Sequence, residues 1–99
     1  MICRYWRGLV RSESQDAYIE HLRAHTFPQL SRIPGFQGAS LMKRQFATGV
    51  EFVVQTRWES RDAIVAFAGE DAEAAVVPEE ARRLMVEYDR RARHYEIVV

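Results

Sequence analysis

Residues 50–58 read VEFVVQTRW, and this run decides the fold. Val, Phe, Thr and Trp dominate it, and strand alternation puts Phe52, Val54, Thr56 and Trp58 on one face. Immediately upstream, Ala47-Thr48-Gly49 supplies a tight connection to an extended stretch over 36–46, which predicts a hairpin. Downstream, Ser60 is placed to cap a helix in which Ala63, Ile64 and Phe67 cluster, and Gly69 stands where a left-handed C-terminal residue is wanted.

Towards the N-terminus, residues 2–10 (ICRYWRGLV) are rich in strand formers. Ser12 and Ser14 offer N-caps to the following SQDAYIEHLRAH, where Tyr18, Ile19 and Leu22 share a helical face, and Pro28 with Pro34-Gly35 closes the helical region. Towards the C-terminus, Pro78, Glu79 and Glu80 open a further helix whose Ala81, Leu84, Met85 and Tyr88 fall at i, i+3, i+4 and i+7. RHYEIVV then reads as a last strand. The order β-α-β-β-α-β, with the second helical region broken in two, predicts an α+β domain of the ferredoxin-like split βαβ type. Its four-stranded antiparallel sheet carries the helices on one face. Yet the strands are apolar on both sides: Phe52 and Val54 against Val53, Trp6 against Tyr5, Val98 against Ile97. The second face needs a cover, and the simplest is another copy of the chain, packed sheet to sheet about a two-fold axis. A homodimer is expected.

Ninety-nine residues and 11.5 kDa make one domain, residues 1–99, because two would each lack a self-supporting core. Fourteen Lys plus Arg against fourteen Asp plus Glu leave none of the basic excess that phosphate neutralisation rewards, so nucleic acid is not an expected partner. No apolar run approaches the roughly 20 residues that span a bilayer, and arginines interrupt the first ten residues, unlike a signal-peptide core. The single Cys3 forms neither an internal disulfide nor a multi-cysteine zinc site, which suits a reducing, cytoplasmic compartment. There is no phosphate-cradling glycine loop, nucleophile elbow or Cys/His zinc pattern, so no cofactor or metal is expected. His21 and His25 stand at i and i+4, but no Glu follows His21 as a zincin requires, and they read as partly exposed helix histidines. Five acids over 70–80 and five arginines over 82–93 read as a solvated surface with local pairing.

Trp6, Trp58 and His94 form the more informative set. Alternation puts Trp6 on one face with Ile2, Arg4 and Gly8, and the topology turns that face and the Trp58 face towards the helices. Two indoles and an imidazole would then line a space between sheet and helices, an apolar cavity with a few hydrogen-bonding tips, suited to a small apolar or aromatic ligand. The competing arrangement is a solid core in which both indoles only pack.

IxRYWRG in the first strand, PGF before the second, RWES leading into DAIVAFAGED, then AVVPEEAR and RHYEIV, together resemble the antibiotic biosynthesis monooxygenase family almost end to end. The resemblance implies a dimeric α+β barrel, two ferredoxin-like protomers each holding a cavity between sheet and helices. Some members oxidise polycyclic aromatic phenols to quinones with dioxygen and no cofactor; others degrade haem. For the haem-degrading branch it implies a strand-one Asn, a Trp ending the third strand and a His about nineteen residues beyond. Trp58 matches that Trp, but the Asn position falls at Trp6 and the His position at Val77, which argues against haem degradation. For the cofactor-free branch it implies a pocket that binds a phenol and favours its deprotonated form. His94 is the expected catalytic group for proton removal, Arg4 the expected stabiliser of a phenolate, and Trp6, Trp58 and Phe67 the expected substrate-binding walls. Two functions fit: a cofactor-independent monooxygenase of a small aromatic or polyketide-type metabolite, or a non-catalytic dimer that binds such a molecule.

Overall fold

In the computed structural model, which describes residues 1–99, five strands form one antiparallel sheet: β1 (Ile2–Val10), β2 (Phe36–Phe46), β3 (Gly49–Trp58), β4 (Met85–Tyr88) and β5 (Arg93–Glu96). β3 pairs with β1 along its whole length, from Ile2 opposite Trp58 to Val10 opposite Val50. β2 covers the other edge of β3, reached through the expected Ala47-Thr48-Gly49 turn. The remaining edge of β1 is shared end to end, β5 against Ile2–Tyr5 and β4 against Gly8–Val10. The order is therefore β2-β3-β1 and then β4 with β5, so that five strands fill the four positions of a split βαβ sheet.

β4 corrects one expectation. The helix opened by Pro78 ends after a single turn, α4 (Glu79–Arg82), and Met85 and Tyr88 belong to a strand. Four apolar positions at helical spacing were outweighed by the unpaired edge of β1 at Gly8–Val10, which a strand satisfies and a helix does not. The first helical region is corrected as well. It runs from a 3₁₀ turn at Ser12–Ser14 through α1 (Gln15–His21) and a π-helical stretch (Leu22–Thr26) to α2 (Phe27–Ser31). Neither Ser12 nor Ser14 caps it with its side chain. Pro28 lies inside it, in the first turn of α2. Phe27 N donates to Leu22 O, five residues back, and this wide turn accommodates a residue that lacks an N–H and crowds the preceding turn. α3 (Arg61–Ala68) forms as expected: Ser60 Oγ accepts from Ala63 N at 3.3 Å, and Gly69 ends it at φ 90°.

The helices cover one sheet face. Trp6, Val10, Val50 and Phe52 meet Tyr18 and Leu22 from the first helical region and Ala81 from α4, while Trp58 meets Leu30, Ala63 and Ile64. Gly8 is required here, since a Cβ at that position would lie 2.6 Å from the Trp6 ring. On the opposite face, Glu51 accepts from both Arg7 and Arg44, and those two guanidiniums lie over the Phe46 ring at 5.7 and 5.9 Å. Met42, Phe46 and Tyr95 are exposed on that side.

Candidate functional site

Between sheet and helices lies a mostly apolar cavity of about 60 Å³, ten of whose fifteen lining residues are hydrophobic. Its floor is the inward face of β1 and β3: Arg4, Trp6, Val54 and Thr56. Tyr18, His21, Leu22, Thr26 and Leu30 close it from the first helical region, Phe67 from α3, and Val76, Val77, Pro78, Ala81 and Met85 complete the wall.

Arg4 is its principal charge. Only 5% exposed, the guanidinium donates Nη1 to Ala72 O and to His94 Nε2 at 2.8 Å, and Nη2 to Ala74 O at 2.7 Å. Its face lies 5.7 Å from the Phe67 ring. No carboxylate forms an ion pair with it, and burial lowers its pKa, partly offset by the field of Glu73. A buried cation satisfied by carbonyls and an imidazole, with donors to spare, is a ready partner for an anion.

His94 stands directly opposite Arg4 in the ladder between β1 and β5. Because arginine only donates, the 2.8 Å contact makes His94 Nε2 an acceptor and puts the imidazole proton on Nδ1. Burial, then the Arg4 charge, push the His94 pKa down, so the ring is neutral at pH 7.

Of the residues expected to contact a ligand, Arg4, Trp6 and Phe67 line the cavity. Trp6 Nε1 donates to Asp89 O at 2.7 Å, which fixes the indole in the cavity wall. Trp58 and His94 lie one layer back, a correction to their expected place in the wall. Trp58 is wholly buried, stacked on Phe67 at 5.8 Å and edge-on to Phe36 at 5.3 Å, with Nε1 donating to Thr56 Oγ1 at 2.8 Å. It sits on the inward face as alternation requires, but at the end of β3, where Phe67 and Thr56 separate it from the cavity. His94 is screened by the guanidinium it accepts from. Tyr18 and His21 were missed as lining residues. The signal was their spacing: His21 follows Tyr18 by three and precedes Leu22, on the inward stripe of the helix. Burial raises the Tyr18 pKa, so its hydroxyl stays protonated.

The model of the antibiotic biosynthesis monooxygenase family matches residues 1–79. No functionally curated protein sequence matches the chain. Among solved structures, a Nitrosomonas europaea protein assigned to the antibiotic biosynthesis monooxygenases superposes with TM-score 0.73 at 16% identity, over 98% of this chain and 89% of its own. A mutant of MhuD carrying two manganese protoporphyrin IX per active site superposes with TM-score 0.69 at 25% identity, over 100% and 96%. The haem degrader MhuD from Mycobacterium tuberculosis, with two haems in its active site, gives TM-score 0.61 at 22% identity, over 100% and 97%. With its sheet order, its cavity between sheet and helices and a family model over most of its length, the chain belongs to the antibiotic biosynthesis monooxygenase family.

Proposed function

We propose that the protein is a cofactor-independent monooxygenase that binds a small aromatic or polyketide-type phenol as its oxyanion in this cavity. The observation that carries the reading is Arg4, a buried guanidinium without a carboxylate partner at the edge of an apolar space. An oxyanion there gains a charge-assisted hydrogen bond in a poorly solvated setting, which favours the phenolate over the phenol. Neutral Phe67, Trp6 and Val54 line the inner part of the space, where they shield the oxyanion end of the ligand from water.

A bound phenolate is electron-rich and reacts with dioxygen at ring carbon. A C–O bond forms, the O–O bond then breaks, and water leaves with the ring hydrogen and the phenolic proton. The phenol becomes a quinone, a four-electron oxidation matched by reduction of one O₂ to a quinone oxygen and one water. The side chains bind, orient and hold the charge. His94 acts through Arg4: its lone pair fixes the guanidinium, which makes it a positioning residue.

Porphyrin binding by the MhuD structures raises haem as an alternative. The donor pattern that the family resemblance gives for haem is not reproduced here. Val77 and Trp6, at the positions the family resemblance gives to the axial His and the Asn, both line the cavity; Val77 carries no ligand atom and the Trp6 ring fills space. A second reading, a binding protein without turnover, is favoured by one observation: the His94 lone pair available to a proton is already taken by Arg4. Both readings include the homodimer, whose cover over Met42, Phe46 and Tyr95 is supported by their exposure on the face away from the helices.

The test is oxygen uptake, followed with indole quenching, across naphthol-like and dihydroxyanthracene-like phenols. Uptake with quinone formation establishes the enzyme; quenching without uptake establishes the binding protein. A panel that gives neither removes both.

A further inference from the structure

His21 has no role in the account above. It ends α1, and its side chain lines the cavity beside Leu22. Its Nε2 is buried without a hydrogen-bond partner, the sole buried side-chain nitrogen or oxygen left so. Such an atom forfeits its hydration unless water, an ion or a bound molecule completes it, so it marks a point in the wall where a polar group is wanted.

The surroundings say what that molecule is. His21, Thr26 and Pro78 border the cavity and also a wider groove of about 570 Å³, lined in addition by Glu20, His25 and Glu80. The inner space, about 60 Å³, is well short of the roughly 150 Å³ that holds a benzene, so a ring system extends outward past His21. His25 lies 5.6 Å away between ring centres, but no third metal-ligating side chain joins the pair, so protein side chains alone build no metal site at Nε2. A ligand hydroxyl meets either tautomer of His21, because it both donates and accepts.

We propose that His21 is a ligand-contacting residue, its Nε2 paired with a second hydroxyl on an aromatic molecule whose first oxygen is held by Arg4. The inference rests on the reading of the cavity as an aromatic oxyanion site, and it narrows the ligand to a ring system hydroxylated at two separated positions.

The experiment titrates the purified protein with 1-naphthol and with 1,5-dihydroxynaphthalene, by indole quenching, in wild type, His21→Phe, His21→Gln and His25→Ala. Wild type and His25→Ala should prefer the diol by about threefold to tenfold, as expected for one neutral hydrogen bond. His21→Phe should lose the preference for the diol over 1-naphthol, and His21→Gln should recover part of it. In wild type, the ¹⁵N shift of His21 Nε2 should move with the diol, which needs no variant to fold. Diol preference that survives in His21→Phe, its absence in wild type, or an unmoved nitrogen shift overturns the assignment while the cavity reading stands. Failure of both compounds to bind wild type overturns the two together.

Discussion

Arg4 and His94, 90 residues apart in sequence, meet at 2.8 Å through Nη1 and Nε2, and the same guanidinium holds the carbonyls of Ala72 and Ala74. One side chain thus ties the central strand, the β5 edge and the segment after α3 into a single fixed wall of the cavity. The positive charge held there is positioned by the fold before any ligand arrives.

Replacing Arg4 with Ala should cost about 2–4 kcal/mol of stability, since two carbonyls and an imidazole nitrogen lose their donor. Arg4→Lys should recover part of that loss but little of the ligand affinity, because a single ammonium cannot serve three acceptors and a bound oxyanion together. Chemical denaturation beside phenol titration separates the two effects. Ligand affinity unchanged in Arg4→Ala would remove Arg4 from the site.

His94 makes stability depend on pH in a definite direction. Its folded pKa lies below the ordinary 6.5, so above that value both folded and unfolded forms are neutral and the Arg4 contact is intact. As pH falls below 6.5 the unfolded chain takes up the proton first, and stability declines until the folded pKa is passed. Thermal melts from pH 7.5 to 5 should show this slope, and His94→Gln should flatten it while leaving an acceptor for Arg4. A slope equal in both proteins would assign the titration elsewhere.

Trp58 and Phe67 should separate packing from binding. Trp58→Ala, in a wholly buried stack, should destabilise by about 3–5 kcal/mol, whereas Trp58→Phe should leave ligand affinity within about twofold. Phe67→Ala removes cavity wall and the face beneath Arg4, and should weaken binding by about 1–3 kcal/mol. If Trp58→Phe weakens binding as much as Phe67→Ala, the indole contributes to the wall.

Light scattering at micromolar concentration should report about twice 11.5 kDa. The double substitution Met42→Glu and Tyr95→Glu, two exposed apolar residues on the face away from the helices, should halve that mass and leave the fold intact by circular dichroism. A wild-type monomer would show that this face needs no second copy.

Where local chemistry and tertiary demand agree, the sequence is a sufficient guide. β3 announces itself by composition, and Ser60 and Gly69 mark the ends of α3 through bonds and dihedrals made within a few residues. Met85–Tyr88 is different, because its apolar spacing suits a helix and its assignment is made by Gly8–Val10, more than seventy residues earlier. Pro28 is a stop signal only if the helix before it keeps a four-residue register; the π turn removes that premise. At the site, alternation finds Arg4 and Trp6 because they stand mid-sheet. It cannot show that Phe67 screens Trp58, nor that Arg4 screens His94, since depth behind a neighbour is not a property of a strand's own pattern. His21 escapes for the opposite reason: a polar residue on an apolar stripe reads as its solvated edge.

The split edge of the sheet has a kinetic consequence. β1 pairs on one edge with β3, which can close once the chain reaches Trp58, but its other edge waits for Met85–Tyr88 and Arg93–Glu96 near the far end of the sequence. High sequence separation slows that second search, and for its duration the Ile2–Val10 segment is a strand with the β4 and β5 edge open. The same centrality that anchors Arg4 in the finished protein leaves β1 with an edge open to mispairing with other chains during folding, and arginines at 4 and 7 are the charges that oppose it.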